Sequence, residues 1–146
     1  MKNAFSMLEL VFVIIVIGIL AGMAIPRLFN GITEAEIAKI KTDVATIRSA
    51  IATKYGKNIM EGKNECPSLE NTTTDPDNKT LFEGIMTYPI KRNVGDVKWD
   101  GDGTDYSVTM GKDTTIYFKY DNKTSNNCKF ECDTSKTDNR CDLIGE

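Results

Sequence analysis

Residues 10–25 carry no charged side chain, and one acid, Glu9, stands at the edge of that run. Leu, Val, Ile, Phe, Met and Ala make up the stretch, together with Gly18 and Gly22. Extended back to Phe5 it has 21 residues, or roughly 30 Å of α-helix. That equals the hydrocarbon thickness of a bilayer, about 30 Å, so a membrane-spanning or similarly enclosed helix is predicted over residues 5–26. A carboxylate costs about 3 kcal/mol at the centre of a membrane and less near its edge, and such residues are usually functional. Glu9 is therefore the first candidate functional residue. Two plainer readings compete. A secretory signal cut after Ala24 in "AGMAIP" would have a longer charged region before its apolar core. A generic single-span anchor would leave Glu9 incidental.

Upstream of the run lies a short stretch, residues 1–4, with Lys2 as its one charged side chain. Phe5, Ser6, Met7, Leu8 and Glu9 follow, so Glu9 is fifth if the chain is cut after Ala4. Pro26 then falls at the twenty-second place. This arrangement resembles the amino-terminal signature of the type IV pilin and pseudopilin superfamily. The resemblance covers about the first 30 residues and implies a leader of residues 1–4, cleavage between Ala4 and Phe5 by a prepilin peptidase, and N-methylation of Phe5. The superfamily has Gly before the cut; here Ala4, the next smallest side chain, takes its place, and processing is expected to proceed. Glu9 is then expected to pair with the freshly exposed amine of a neighbouring subunit. Buried charges lose their hydration, so such a pair sets register more than it adds net stability. Gly18 and Gly22 add a weak small-xxx-small signal for close helix approach.

Beyond Pro26, where a kink is expected, a second helical pattern begins. Ile37, Ile40, Val44, Ile47 and Ile51 recur at spacings of three and four, a single apolar stripe on an amphipathic helix. Five positions are too few to favour a coiled coil. Glu34, Glu36, Lys39, Lys41, Asp43, Arg48 and Lys54 fall on the opposite, solvated face. The helix is expected over residues 27–60, ended by Gly56 or Gly62.

Residues 61–146 read as a small polar head. Residues 62–80 hold two prolines and several Asn and suggest a surface loop. Strands are predicted over 94–99, 106–110 and 114–120, separated by "DGDGTD", "GKD" and "DNKT". No clear strand follows Phe130. The fold class is α+β: a long amino-terminal helix packed on a small antiparallel sheet, with a disulfide-tied tail. A head of this size buries little by itself, so the helix stripe is expected to complete its core. Cys66, Cys128, Cys132 and Cys141 are expected to form two disulfides if the head is exported. Four cysteines allow three connectivities, and all three tie Cys66 to the terminal cluster. A four-cysteine zinc site is the rival, without the paired CxxC spacing it usually shows.

Asp100, Asp102 and Asp105 offer carboxylates within six residues, a pattern that suits calcium. Asp105 stands where an EF-hand loop requires Gly, so a plain hairpin turn is the stronger reading. No cofactor is required, and calcium is the one alternative. The chain has no histidine, which removes Ser-His-Asp and Cys-His arrangements and His-ligated metals; an enzyme is not expected. From Leu28 onward sixteen Lys and Arg face twenty Asp and Glu, so bulk charge argues against nucleic-acid binding, the local pair Lys91 and Arg92 notwithstanding. The sequons at Asn71, Asn78 and Asn122 are those chance supplies in an Asn- and Thr-rich chain. The reading that results is a type IV filament subunit, first a pseudopilin of a type II secretion or DNA-uptake system. A true pilus subunit for adhesion or twitching is the alternative, and a membrane-anchored binding module that does not polymerise is the runner-up. The resemblance implies other pilin-like subunits, prepilin peptidase, an inner-membrane assembly platform and membrane lipid as partners. It places the head in the periplasm and the anchor in the bacterial inner membrane.

Overall fold

A computed structural model describes residues 6–71, 79–111, 114–124 and 128–146, without the side chains of residues 23–33. One helix, α1 (Met7–Met60), is followed by six strands: β1 (Thr80–Leu81), β2 (Ile90–Lys91), β3 (Val97–Gly101), β4 (Asp105–Met110), β5 (Thr114–Tyr120) and β6 (Phe130–Cys132). A 3-10 turn at Cys141–Ile144 closes the order. The chain divides into two compact units, Met1–Ala35 and Glu36–Glu146. Cleavage at Ala4 and Phe5 falls outside the residues so described; Pro26 lies within α1, and its side chain is among those not described.

The end of α1 is set by backbone chemistry. Gly62 adopts φ 77°, its N–H donates to Ile59 O, and Lys63 N–H donates to Asn58 O. This is a Schellman closure, which satisfies the last carbonyls through a left-handed residue best supplied by glycine. Of the two glycines that the sequence offers as stops, Gly62 is used and Gly56 stays inside the helix.

In the second unit β3, β4, β5 and β6 form an antiparallel meander in chain order, and β1 and β2 make a separate two-residue ladder. The pairs Trp99↔Val108, Val108↔Ile116 and Phe118↔Cys132 fix the register. Alternation places Trp99, Tyr106, Val108, Ile116, Phe118 and Phe130 on the buried face. Ile40, Val44, Ile47 and Ile51 are each at most 3% exposed in the same core, with Ile37 partly buried against it. The stripe and its partner sheet are as the spacing predicts. Phe82 joins the aromatic cluster, stacked on Tyr106 with ring centroids 4.7 Å apart.

Three expectations change. The strand expected over 94–99 begins at Val97, as β3, because Asn93 and Gly95 turn the chain with positive φ. A fourth strand, β6, exists past the expected last one; three residues with a Glu at the centre give too short an alternation to read. The 62–80 loop also enters the core. Leu69 is 1% exposed, and Pro67 O accepts a hydrogen bond from Tyr120 Oη at 2.8 Å.

Two glycines illustrate opposite constraints. A Cβ on Gly101 would lie 2.2 Å from the ring of its cross-strand partner Tyr106, whereas one on Gly56 would meet nothing within 4 Å. Gly101→Ala is expected to destabilise the head by about 1–3 kcal/mol through overpacking. Gly56→Ala is expected to stabilise it by up to about 1 kcal/mol through helix propensity. Thermal unfolding of the two variants beside the wild type checks both signs.

Candidate functional site

Ser6 opens α1. Its Oγ accepts the N–H of Leu8 at 3.3 Å, and its carbonyl accepts those of Glu9 and Leu10 at 3.0 and 3.1 Å. Ser6 is thus the N-cap and Glu9 the third helical residue, the S-x-x-E spacing of a capping box. The positive end of the helix dipole favours an anion at that place by about 0.3–1 kcal/mol. This helix-start signature was present in the sequence and is missing from the reading above, where Glu9 is explained by assembly alone. Glu9 itself is exposed.

Between Leu10 and Leu20 the helix has no polar face. Met7 and Leu8 are 85% and 82% exposed, and each large apolar side chain from Leu10 to Leu20 is exposed as well. Consecutive residues turn through about 100° in a helix, so eight successive apolar side chains from Leu10 to Ile17 cover its whole circumference. A helix apolar all round is one that something else must cover. Gly18 and Gly22 meet no atom of this chain within 4 Å of a Cβ position. Among the described residues no helix is long and apolar enough to cross a membrane.

The head carries the remaining candidates. The four cysteines form Cys66–Cys128 and Cys132–Cys141, so none is left as a zinc ligand. In the chain-entropy model loops of these sizes contribute about 4 and about 3 kcal/mol respectively. The three aspartates line one pocket, but each carboxylate already has a partner. Asp100 is ion-paired with Arg92 and accepts Gly101 N–H at 2.9 Å. Asp102 accepts the backbone N–H groups of Thr104 and Asp105 at 3.1 and 3.0 Å, which hold its carboxyl below the usual range. Asp105 meets the hydroxyl of Thr104 at 3.2 Å. Among the described residues no group of three or more His, Cys, Asp or Glu is arranged to hold a metal ion.

Two charged residues assigned to the solvated helix face instead tie α1 to the sheet. Asp43 accepts a hydrogen bond from Trp99 Nε1 at 3.1 Å, and burial raises its pKa. Arg48 Nε donates to Phe130 O at 2.8 Å, and the same guanidinium is ion-paired with Glu146. Glu146 in turn accepts the Cys132 N–H at 3.2 Å. Sequence spacing gives no signal for contacts between residues 56 and 82 positions apart.

Comparison with known proteins adds relatives. Over 67 residues the chain is 33% identical to a type IV major fimbrial protein FimA of Dichelobacter nodosus, covering 42% of this chain and 43% of the relative. Two further FimA proteins of that organism are each 32% identical over 63 and 68 residues. The chain is thus similar, over less than half of its length, to type IV fimbrial proteins. The matches span between 38% and 43% of each relative's length. No protein-family model and no solved structure matches the chain. These relatives are named as fimbrial proteins, which are structural subunits rather than enzymes.

Arg48 holds the Glu146 carboxyl below its ordinary value, the Cys132 N–H adding to the effect. A carboxyl whose pKa is depressed by folding adds stability above the unfolded value, about 4.3, and loses it as pH falls through the folded value. The wild type is expected to melt higher than Glu146→Gln at pH 7, and the gap is expected to narrow steadily as pH falls below the unfolded value. Paired thermal melts across that range check it.

Proposed function

We propose that this chain is a structural subunit of a type IV filament and not an enzyme. In this reading a prepilin peptidase cuts between Ala4 and Phe5 and the new amino terminus is methylated. The Phe5–Ile25 segment then holds the subunit in the bacterial inner membrane, with the head in the periplasm. An inner-membrane assembly platform lifts it into a polymer with other pilin-like subunits. The observation that supports this most is the helix apolar on every side from Leu10 to Leu20. Lipid and a bundle of like helices are equivalent surroundings for it, so transfer from one to the other exposes little apolar surface.

The relatives' description as major fimbrial proteins favours a pilus subunit. A pseudopilin of a type II secretion or DNA-uptake system is the second reading, supported by the short polar head.

Glu9 separates capping from assembly. Gln keeps the hydrogen-bonding pattern of a capping box but not the charge. Under the proposal, mass spectrometry of the mature protein finds residues 1–4 removed and Phe5 methylated. Glu9→Gln and Glu9→Ala both fail to assemble at the wild-type rate although both are processed. A Glu9→Gln chain that assembles normally would return Glu9 to a capping role, and an intact Met1 would remove the filament reading.

The same reading needs no metal. Asp102 already spends its carboxylate on backbone donors of its own turn. The thermal midpoint of the protein is expected to be the same with calcium and with EGTA; a drop on chelation would make Asp100, Asp102 and Asp105 a calcium site.

A further inference from the structure

The first turn of α1 has more donors than acceptors. Backbone N–H groups at a helix start lack partners inside the helix and must find them elsewhere. The Leu8 N–H donates to Ser6 Oγ at 3.3 Å, and the Glu9 N–H donates to Ser6 O at 3.0 Å. Both acceptors belong to Ser6. The N–H groups of Ser6 and Met7 have no acceptor among the described residues.

A complete capping box would give the Ser6 N–H to the carboxylate of Glu9. That arm is not made. Among the described residues the Glu9 carboxylate accepts no hydrogen bond and forms no ion pair. The half of the box that is closed is the half that Ser6 supplies, and the acid on the same turn stays exposed. In apolar surroundings an unmet N–H is costly, so a free acceptor beside it is drawn in. The Ser6 hydroxyl reduces that demand by taking the Leu8 N–H. Without it, one more open donor faces a single carboxylate.

We infer that Ser6 is a positioning residue: by capping the first turn with its own hydroxyl and carbonyl, it keeps the Glu9 carboxylate from closing on its own helix end and leaves it open to a cation from another subunit. The inference rests on the filament reading, in which that cation is the exposed amine of a neighbouring copy. Ser6, Leu8, Glu9 and Leu10 all follow the proposed cut between Ala4 and Phe5, so removal of residues 1–4 takes away no member of the cap. Alanine at position 6 removes the hydroxyl, and the carboxylate is then taken up by the backbone of its own turn. Asn caps helices as well as Ser does but carries no hydroxyl, so Ser6→Asn separates capping from any other role of that group.

The test uses the full chain, produced in bacteria that cut and polymerise the wild type. Sheared filaments are quantified against cut subunit, the cut being measured by mass spectrometry. Ser6→Ala is expected to be cut and to give about fivefold less filament per cut subunit, the factor that loss of a typical cap represents. Ser6→Asn and Ser6→Thr are expected to stay close to the wild-type yield. Amide exchange with water is followed on the same chains in detergent. Fraying alone speeds exchange at residues 6 and 8 together. The inference requires Ser6→Ala to speed it at Leu8 and to slow it at residue 6, where Glu9 now accepts, and Glu9→Ala added to Ser6→Ala to abolish that slowing. Wild-type filament yield from Ser6→Ala, failure of Ser6→Asn beside Ser6→Ala, or no slowing at residue 6 would each overturn it. A wild type that is neither cut nor polymerised overturns the filament reading instead, and exchange at residue 6 then decides the role of Ser6 alone.

Discussion

Ile40, Val44, Ile47 and Ile51 close the aromatic face of the sheet, and the rest of the head is arranged around that closure. Each such side chain contributes about 1.5–3 kcal/mol on burial. Trp99, Phe118 and Phe130 supply the opposing surface, with Phe118 and Phe130 stacked at 5.3 Å. Hydrophobic contact has no preferred direction, so it does not settle how a helix is rotated over a sheet. The two polar ties do. Asp43 to Trp99 and Arg48 to Phe130 lie five residues apart on α1 and reach the two edge strands, β3 and β6. A helix turned by one residue would lose both. Their net energy is modest, about 0.5–1.5 kcal/mol for an ordinary hydrogen bond and somewhat more for a charged one; their effect is to select one orientation.

The segment after β5 has little apolar material with which to hold itself. It is fixed by covalent links: Cys66–Cys128 joins the loop after α1 to the approach of β6, and Cys132–Cys141 folds the last turn back on that strand. Asn139 adds a third tie, its amide donating to Tyr117 O at 2.9 Å and its Oδ1 accepting the Tyr117 N–H at the same distance. That is the pairing an adjacent residue in a sheet would make, performed by a side chain. Arg48 and Glu146 repeat the device at the opposite edge of β6. Short strands and polar segments thus reach strand-like order through side chains.

Elements with a period were legible in the sequence, and elements without one were not. The 3.6-residue recurrence of the isoleucines gave both the helix and its buried face. Gly- and Asp-rich turns bounded β4 and β5 closely, because glycine and short acids adopt conformations that strands avoid. Leu69 was illegible: a lone apolar residue in a polar loop carries no period. The strand β6 was hidden by its length. Cysteine pairing was undetermined in principle, since any of three connectivities satisfies the composition. Asp43 and Arg48 were misplaced on the solvated face for a related reason. Helical spacing assigns a side chain to an angle, but a long side chain near the margin of the stripe can reach a partner that only the tertiary fold brings near. At the candidate site the apolar run and Glu9 were plain, while the cap formed by Ser6 was overlooked beside a larger signal.

The place of Glu9 at the helix start and the assembly role proposed for it are connected by magnitude. A helix N-terminus returns about 0.3–1 kcal/mol to an anion at the third position. Placing a carboxylate at the centre of a bilayer costs about 3 kcal/mol. The dipole therefore offsets only part of the cost once hydrocarbon surrounds the residue, and nearly all of it at a membrane edge. In lipid, Glu9 at the first turn of the helix can stay near the interface and be tolerated. In the core of a polymer, where neighbouring helices replace the interface, the shortfall returns and a cation has to meet it. Under the proposed function, removal of a leader would leave a free ammonium four residues away in sequence on each copy. The same acid, inexpensive in a stored subunit, would then be selective in an assembled one, because a copy inserted out of register would leave it unpaired.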